Sequence, residues 1–243
     1  MPAHSSHFAV VTGASSGVGR AIALELAAAG ATVCLVGRRV EALEDVAASA
    51  RGSAPRPLVY RADLANDGEI AALATDLRHD VGAVDVLVHA AGTIALGSIE
   101  QAPVEEFDRQ FQTNVRGPYS LTQALLPMLK SRHGQIVFLN SSAGIAGRAG
   151  AGQYAATKHA LRAIADSLRE EVNQNGVRVL TAFLGRTATP MQAAIHQAEG
   201  KTYQPEQLIR PEDVASIVLS VLSLPRSVEV TDMTLRPLQK PAP

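Results

Sequence analysis

The stretch FAVVTGASSGVGR, Phe8 to Arg20, decides the fold. Its first half is continuously apolar and β-branched rather than alternating, as a strand covered on both faces should be. Its second half breaks at Gly13, Gly17 and Gly19 and runs straight into GRAIALELAAAG, which is helical in composition. Glycines at such a junction let the chain turn tightly and bring backbone N–H groups close to a phosphate. The N-terminus of the following helix attracts the same anion. A plain glycine turn would also fit these residues; the strand before it and the helix after it favour the phosphate reading. No Gly-Lys-Ser/Thr follows, so the turn is not a P-loop.

The same unit recurs along the chain. Apolar runs TVCLVG (32–37), LVYRAD (58–63), VDVLVHAAG (84–92), QIVFLNSS (135–142) and VRVLTAFLG (177–185) read as further strands. Between them lie VEALEDVAASA, DGEIAALATDL, EEFDRQFQTNVRGPYSLTQALLPMLK and TKHALRAIADSLREEV. The last puts Leu161, Ile164, Ala165, Leu168 and Val172 on one helical face. VEVTDMTLRP (228–237) is expected at a sheet edge, because Pro237 has no N–H to give to a central ladder. Strand and helix in strict alternation imply parallel pairing through right-handed crossovers, with helices on both faces. The expected fold is therefore α/β, a Rossmann-type doubly wound parallel sheet of about seven strands. No linker composition interrupts it, so residues 1–243 are read as a single domain.

Composition narrows the function. The chain is 47% hydrophobic and 19% charged with a formal net charge of −1, which gives no reason to invoke nucleic acid or an acidic membrane surface. No apolar run approaches the ~18 residues of a membrane span. The start, MPAHSSHFAVV, lacks the basic region of a signal peptide. Cys34, the single cysteine, has no intrachain partner and sits in an apolar run, so it reads as a small buried hydrophobe. A cytoplasmic setting is expected.

In sheets of this kind ligands bind beyond the carboxyl ends of the strands, so the residue types found there matter. After the first strand Ser15 and Ser16 offer hydroxyls beside the glycines. After the second comes VGRRVEAL, with Arg38 and Arg39 where an NAD-selective chain offers an acid. A guanidinium binds a 2′-phosphate bidentately, so Arg38 favours NADP(H) over NAD(H); Arg39 fits that role and a solvated helix start equally. Asp63 ends the third strand and suits either an adenine amino group or a helix N-cap. HAAG (89–92) ends the fourth with small residues against which a dinucleotide can lie, and His89 reads as a strand-end residue beside it rather than a base. No His, Cys or acidic residues cluster at metal-ligand spacing, so no metal is expected. The fifth strand ends at Ser141, thirteen residues before Tyr154, with four glycines in the AGIAGRAGAG bridge between them. Tyr154 and Lys158 stand at i and i+4, on one face of a helix start.

Assembled, these elements resemble the short-chain dehydrogenase/reductase family over nearly the whole length. TGASSGVG matches its Thr-Gly-x3-Gly-x-Gly cofactor turn and YAATK its Tyr-x3-Lys pair. Ser141 matches the catalytic serine, and Asn114 in FQTNVRGPY the asparagine of the tetrad. FLGRTATPM matches the segment that wraps the nicotinamide. The resemblance implies cofactor contacts from Val18, Leu64, Ala90, Gly92, Leu184, Gly185, Thr187 and Thr189 as well, the last anchoring the carboxamide. Two departures stand out. His89 replaces an asparagine, and Leu184 replaces a proline, which restores an N–H and is expected to loosen the nicotinamide clamp.

The resemblance further implies hydride exchange between the nicotinamide and a carbonyl or secondary alcohol, with Tyr154 exchanging the proton. Lys158, with the oxidised nicotinamide adding to the effect, is expected to lower the phenol pKa from about 10, a drop of roughly 2 units corresponding to about 2.7 kcal/mol. Lys158 is also expected to hold the ribose. Ser141 would donate to the substrate oxygen, and Asn114 would kink its helix and hold a water leading from Lys158. Residues 188–209 are the expected substrate lid; Met191, Ile195 and Leu208 suggest a small or medium, mainly apolar substrate. Alternatives are a 3-oxoacyl carrier-protein reductase, which wants a basic rim at the pocket mouth where only scattered residues such as Arg116 and Arg148 are available, and an NADPH-sensing protein without turnover. Alanines on the Tyr154 helix (Ala155, Ala156, Ala160, Ala163) permit either burial within the chain or pairing as a homodimer or homotetramer, the family's habit.

Overall fold

The computed structural model describes residues 7–50 and 55–239; the N-terminal stretch read above as lacking a leader lies partly outside these residues, at 1–6. Seven strands form one sheet: β1 (Phe8–Thr12), β2 (Thr32–Gly37), β3 (Leu58–Arg61), β4 (Val86–His89), β5 (Gln135–Ser141), β6 (Arg178–Leu184) and β7 (Asp232–Leu235). Their spatial order is β3-β2-β1-β4-β5-β6-β7, and every pairing is parallel. The helices are α1 (Gly17–Ala28), α2 (Val40–Ser49), α3 (Asp67–Asp80), α4 (Val104–Phe111), α5 (Gly117–Ser131), α6 (Gly152–Val172), α7 (Pro190–Ala198) and α8 (Pro211–Leu222).

Why the strands are continuously apolar is plain from what each face meets. Ala9 and Val11 of β1 join a core with Ile22 and Leu26 of α1 and Val214 and Val218 of α8. Val10, pointing the other way, joins Leu121 and Leu125 of α5 and Leu161 and Ala165 of α6. Burying each such leucine contributes roughly 2 kcal/mol, so both faces stabilise the sheet. Cys34 lies in the second core, and burial, reinforced by the charge of Asp80, pushes its thiol up to about 12. It is a packing residue.

From β1 the chain steps outward to β2 and β3, then returns to place β4 on the other side of β1. The two strand ends diverge there and a crevice opens, as at every such reversal. Thr12 holds its base together: its hydroxyl donates to Val88 O (3.3 Å) and accepts from the N–H groups of Ala90 (3.0 Å) and Ala91 (3.2 Å).

Two expected elements differ. The single helix expected over 105–130 is broken by a π turn at Gln112–Arg116, in which the Gly117 N–H reaches back to Gln112 O. Pro118 supplies the cause: it has no N–H for the Asn114 carbonyl four residues back, so regular α geometry cannot be sustained there. At the far end, the edge strand keeps only Asp232–Leu235 of its expected span. Among the described residues no helix is long and apolar enough to cross a membrane.

Candidate active site

Above the carboxyl ends of the strands lies a cleft of about 690 Å³. Its middle is the turn after β1, and the backbone there is packed so closely that side chains are excluded. A Cβ on Gly13, whose φ is +63°, would sit 2.8 Å from Ala91 Cα, and one on Gly19 would sit 2.5 Å from Gly13 O. Gly17, at φ +55°, faces Thr189. Helix α1 begins here with no side-chain cap and no acidic residue in its first turn, whereas Asn66 caps α3 by accepting from the N–H groups of Gly68 and Glu69. The α1 N–H groups are thus left to an anion. A pyrophosphate fits this cradle, and Ser15, Ser16 and Val18 line it with the glycines.

On one side the cleft is bounded by Arg38, Arg39, Asp63 and Leu64. Arg39 Nη2 lies 3.5 Å from Ser15 Oγ, so this residue, left open by the sequence, reaches across to the turn after β1, and it lines the cleft as Arg38 does. Asp63 is not the α3 cap. Its Oδ1 accepts from the Ala65 N–H (3.0 Å), while its own N–H is held by Glu69 (2.9 Å).

On the other side Ser141, Tyr154 and Lys158 converge. Ser141 ends β5, and its oxygen accepts from the Ala143 N–H (3.2 Å), which leaves its proton to be donated elsewhere. Tyr154 and Lys158 stand in the first two turns of α6. The glycines of the intervening loop allow the fold-back. Gly144 approaches Asn140 so closely that a Cβ would meet Oδ1 at 2.5 Å, and the Gly97 N–H bonds Gly150 O (2.9 Å) just ahead of α6. Asn140, which sequence reasoning did not single out, pins strand to helix: its amide donates to Lys158 O (3.0 Å) and its oxygen accepts from the Ser141 N–H (2.7 Å). Thr12 was likewise missed. In both cases a short polar residue at the end of an apolar strand was the available signal.

The electrostatics differ from expectation. Burial pushes the Tyr154 phenol up to about 12, only partly opposed by a side-chain hydrogen bond with Ser141. Burial also pushes the Lys158 amine down to about 8. Lys158 Nζ donates to Leu139 O (3.1 Å) and stands 5.8 Å from the centre of the Tyr154 ring. The amine addresses the ring and the strand end, and in the absence of cofactor burial rather than the amine sets the direction of the phenol's shift.

Asn114 does not line the cleft; it is buried just behind it. Its Oδ1 accepts from the Thr93 N–H (2.8 Å) and its amide donates to Thr93 O (2.9 Å) and Thr157 Oγ1 (3.1 Å). It therefore ties the loop after β4 to α6. His89 requires a correction: its side chain faces away from the cleft, stacked on Phe138 at 4.8 Å with Nε2 2.8 Å from Thr122 Oγ1. Burial holds the ring down at about 3, hence neutral, and it is the following residues, Ala90, Ala91 and Gly92, that reach the cleft. Leu184 completes β6 in register with Ser141 and Leu235, and the next N–H, that of Gly185, bonds Leu235 O at 2.7 Å. Thr187 and Thr189 line the cleft, but the Thr189 hydroxyl is committed to capping α7 through the Gln192 N–H (3.2 Å).

Comparison with known proteins agrees with this geometry. A family model described as short chain dehydrogenase matches residues 7–200. An uncharacterised oxidoreductase of Staphylococcus epidermidis is 33% identical over 95% of this chain and 96% of its own. Among solved structures, an alcohol dehydrogenase from the archaeon Thermococcus sibiricus, complexed with 5-hydroxy-NADP, superposes with a TM-score of 0.88 at 28% identity over 97% of this chain and 99% of that one. An Escherichia coli protein assigned as a short chain dehydrogenase, complexed with NADPH, superposes with a TM-score of 0.86 at 31% identity over 94% and 95% of the two chains.

Proposed function

The chain belongs to the short-chain dehydrogenase family and is an NAD(P)-dependent oxidoreductase; from that premise we propose that it is an NADP(H)-dependent reductase of carbonyl compounds, reversible toward secondary alcohols. One observation carries the reading. Ser141, Tyr154 and Lys158 share a single cleft with the glycine cradle and with Arg38 and Arg39.

The cofactor, when bound, supplies the hydride. The residues of this chain do the rest. Gly13, Gly17 and Gly19 hold the pyrophosphate on backbone N–H groups, and Arg38 with Arg39 and Ser15 hold the 2′-phosphate. Ser141 donates to the substrate oxygen and fixes its position beside the phenol. Tyr154 gives that oxygen its proton, and a phenol held at about 12 is protonated at neutral pH, the form that reduction needs. Lys158 steadies the ring and the end of β5, and Asn114 sets the height of α6 through Thr157.

Arg116 is paired with Asp67, which removes one of the residues a carrier-protein reductase would place at its rim. A non-catalytic sensor would have no use for the phenol. Cytoplasmic residence and pairing of copies belong to the same proposal; exposed Ala156 and Ala163 on α6 and half-exposed Tyr119 on α5 support a helix-to-helix contact. The test is NADPH oxidation at 340 nm against ketones, aldehydes and β-ketoacyl thioesters. No oxidation by any of them, despite saturable NADPH binding, refutes the reductase reading.

A further inference from the structure

Charge is distributed unevenly around the cleft. The chain as a whole carries −1, yet six cationic side chains and one acid line this cavity. Arg38, Arg39 and Asp63 lie at the adenosine end and Lys158 at the centre. Of the remaining three, Arg109 is neutralised by Glu106 at 2.5 Å. Arg148, from the loop ahead of α6, and Arg186, from the turn after β6, are left at the end covered by α7, whose Met191 and Ile195 form an apolar wall.

These two guanidiniums share one partner. Arg148 Nη2 lies 3.2 Å from Glu199 Oε1 and Arg186 Nη2 3.1 Å from Oε2, while Lys201 Nζ stands 3.8 Å from Oε2. Three cations meet one carboxylate, so the group carries a surplus of two positive charges. Burial works to raise the Glu199 carboxyl, but Arg186, Arg148 and Lys201 outweigh it and hold the group below its usual range. Glu199 is therefore an anion that orients the arginines and cannot neutralise them. It does not line the cleft, whereas both arginines do. Arg186 Nη1 is further steadied by His196 Nε2 at 3.4 Å, since His196 Nδ1 donates to Gln192 O (2.8 Å) and leaves Nε2 to accept. An oriented pair of guanidiniums with excess charge at the mouth of a half-apolar pocket is a receptor for a second carboxylate.

Resting on the reductase reading, we infer that Arg148 and Arg186 bind a carboxylate on the substrate, so that the substrates are oxo acids and hydroxy acids. The apolar substrate expected from Met191, Ile195 and Leu208 is thereby revised: Met191 and Ile195 line the cleft and receive the carbon chain, whose far end is charged, while Leu208 is buried outside the lining. The competing account is that the arginines only latch α7 to the loop through Glu199. The two differ in what Glu199 does, because a latch fails without it and an anion site gains from its removal.

Titration calorimetry on the enzyme loaded with NADP+ separates these accounts, since an oxo acid and oxidised cofactor cannot react. The probes are 4-oxopentanoate, 5-oxohexanoate and 6-oxoheptanoate with their methyl esters. At least one acid is expected to bind ~10-fold or more tightly than its ester, as a charge-assisted bidentate contact implies. That ratio should fall ~10-fold or more in Arg148→Met and in Arg186→Met, and should hold or rise in Glu199→Gln. Equal affinity for acid and ester throughout the series overturns the inference. So does a Glu199→Gln variant that loses the ratio as the arginine variants do. Should a methionine variant not fold, the wild-type ratio and its loss on raising salt decide. NADPH oxidation by the esters but by none of the acids overturns the inference and leaves the reductase standing. Arginine-dependent acid binding, with no NADPH oxidation by any carbonyl, supports the anion site and refutes the reductase.

Discussion

Replacing Lys158 by Met should make the protein more stable while removing its activity, and the gain should depend on pH. Lys158 is 5% exposed, and burial lowers its pKa from 10.5 to about 8. At ~1.4 kcal/mol per pH unit, holding the charged amine in the fold costs about 3 kcal/mol. Because the folded pKa lies below the unfolded one, the unfolded chain holds the extra proton between them, and stability rises with pH across that window. At pH 7 the penalty is nearly complete; at pH 9.5 only about 1.4 kcal/mol is left. Methionine fills a similar volume without charge, and its loss of the bond to Leu139 O subtracts about 1 kcal/mol at every pH. The net expectation is a gain of about 2 kcal/mol at pH 7 and almost none at pH 9.5. In a chain of this size that corresponds to roughly 4–8 °C in melting temperature at pH 7. Thermal melts of both proteins at the two pH values, without cofactor, provide the measurement. A variant that melts lower at pH 7, or a difference that stays constant with pH, would falsify the argument that Lys158 is held charged at a cost.

Other expectations follow from individual contacts. Tyr154→Phe keeps the ring and deletes the proton, so NADPH oxidation should cease while NADPH affinity, read by fluorescence titration, stays within a few-fold; residual turnover above ~1% of wild type would remove the phenol from its role. Arg38→Ser with Arg39→Ser should weaken NADPH binding by ~10- to 100-fold and leave NADH nearly unchanged, as expected when charge-assisted bonds to one phosphate are lost; equal losses for both cofactors would contradict the phosphate assignment. Gly19→Ala places a methyl group 2.5 Å from Gly13 O, and should abolish binding of both cofactors; a variant with wild-type affinity would show that the turn is not as tight as described. Asn114→Leu removes the two hydrogen bonds to Thr93 and the one to Thr157 by which Asn114 ties the loop after β4 to α6, and should lower kcat more than it raises KM; an unchanged kcat would reduce Asn114 to a packing residue.

Much of the site was legible along the chain because its parts are local. The glycine turn, the Tyr154–Lys158 spacing and Ser141 at a strand end each occupy one short stretch, and strand–helix alternation places those stretches at one edge of the sheet. The side toward which a residue points was not legible where the two sides are chemically alike. His89 ends a strand beside the cleft, yet its ring turns into the core against Phe138, because strand residues alternate and the next position, Ala90, takes the cleft side. Nor was the direction of the Tyr154 shift: a nearby cation lowers a phenol pKa and burial raises it, and only the depth of both groups decides which wins.

The linear order of residues determined the doubly wound architecture and the presence of a phosphate-binding turn, because hydrophobic period and glycine placement act over a few neighbouring positions. Tertiary structure alone decided that Arg148, Arg186 and Lys201 gather on Glu199, residues separated by up to 53 positions along the chain. Such a cluster leaves no periodic trace, since its members come from different loops and are brought together only by the packing of α7 over the strand ends.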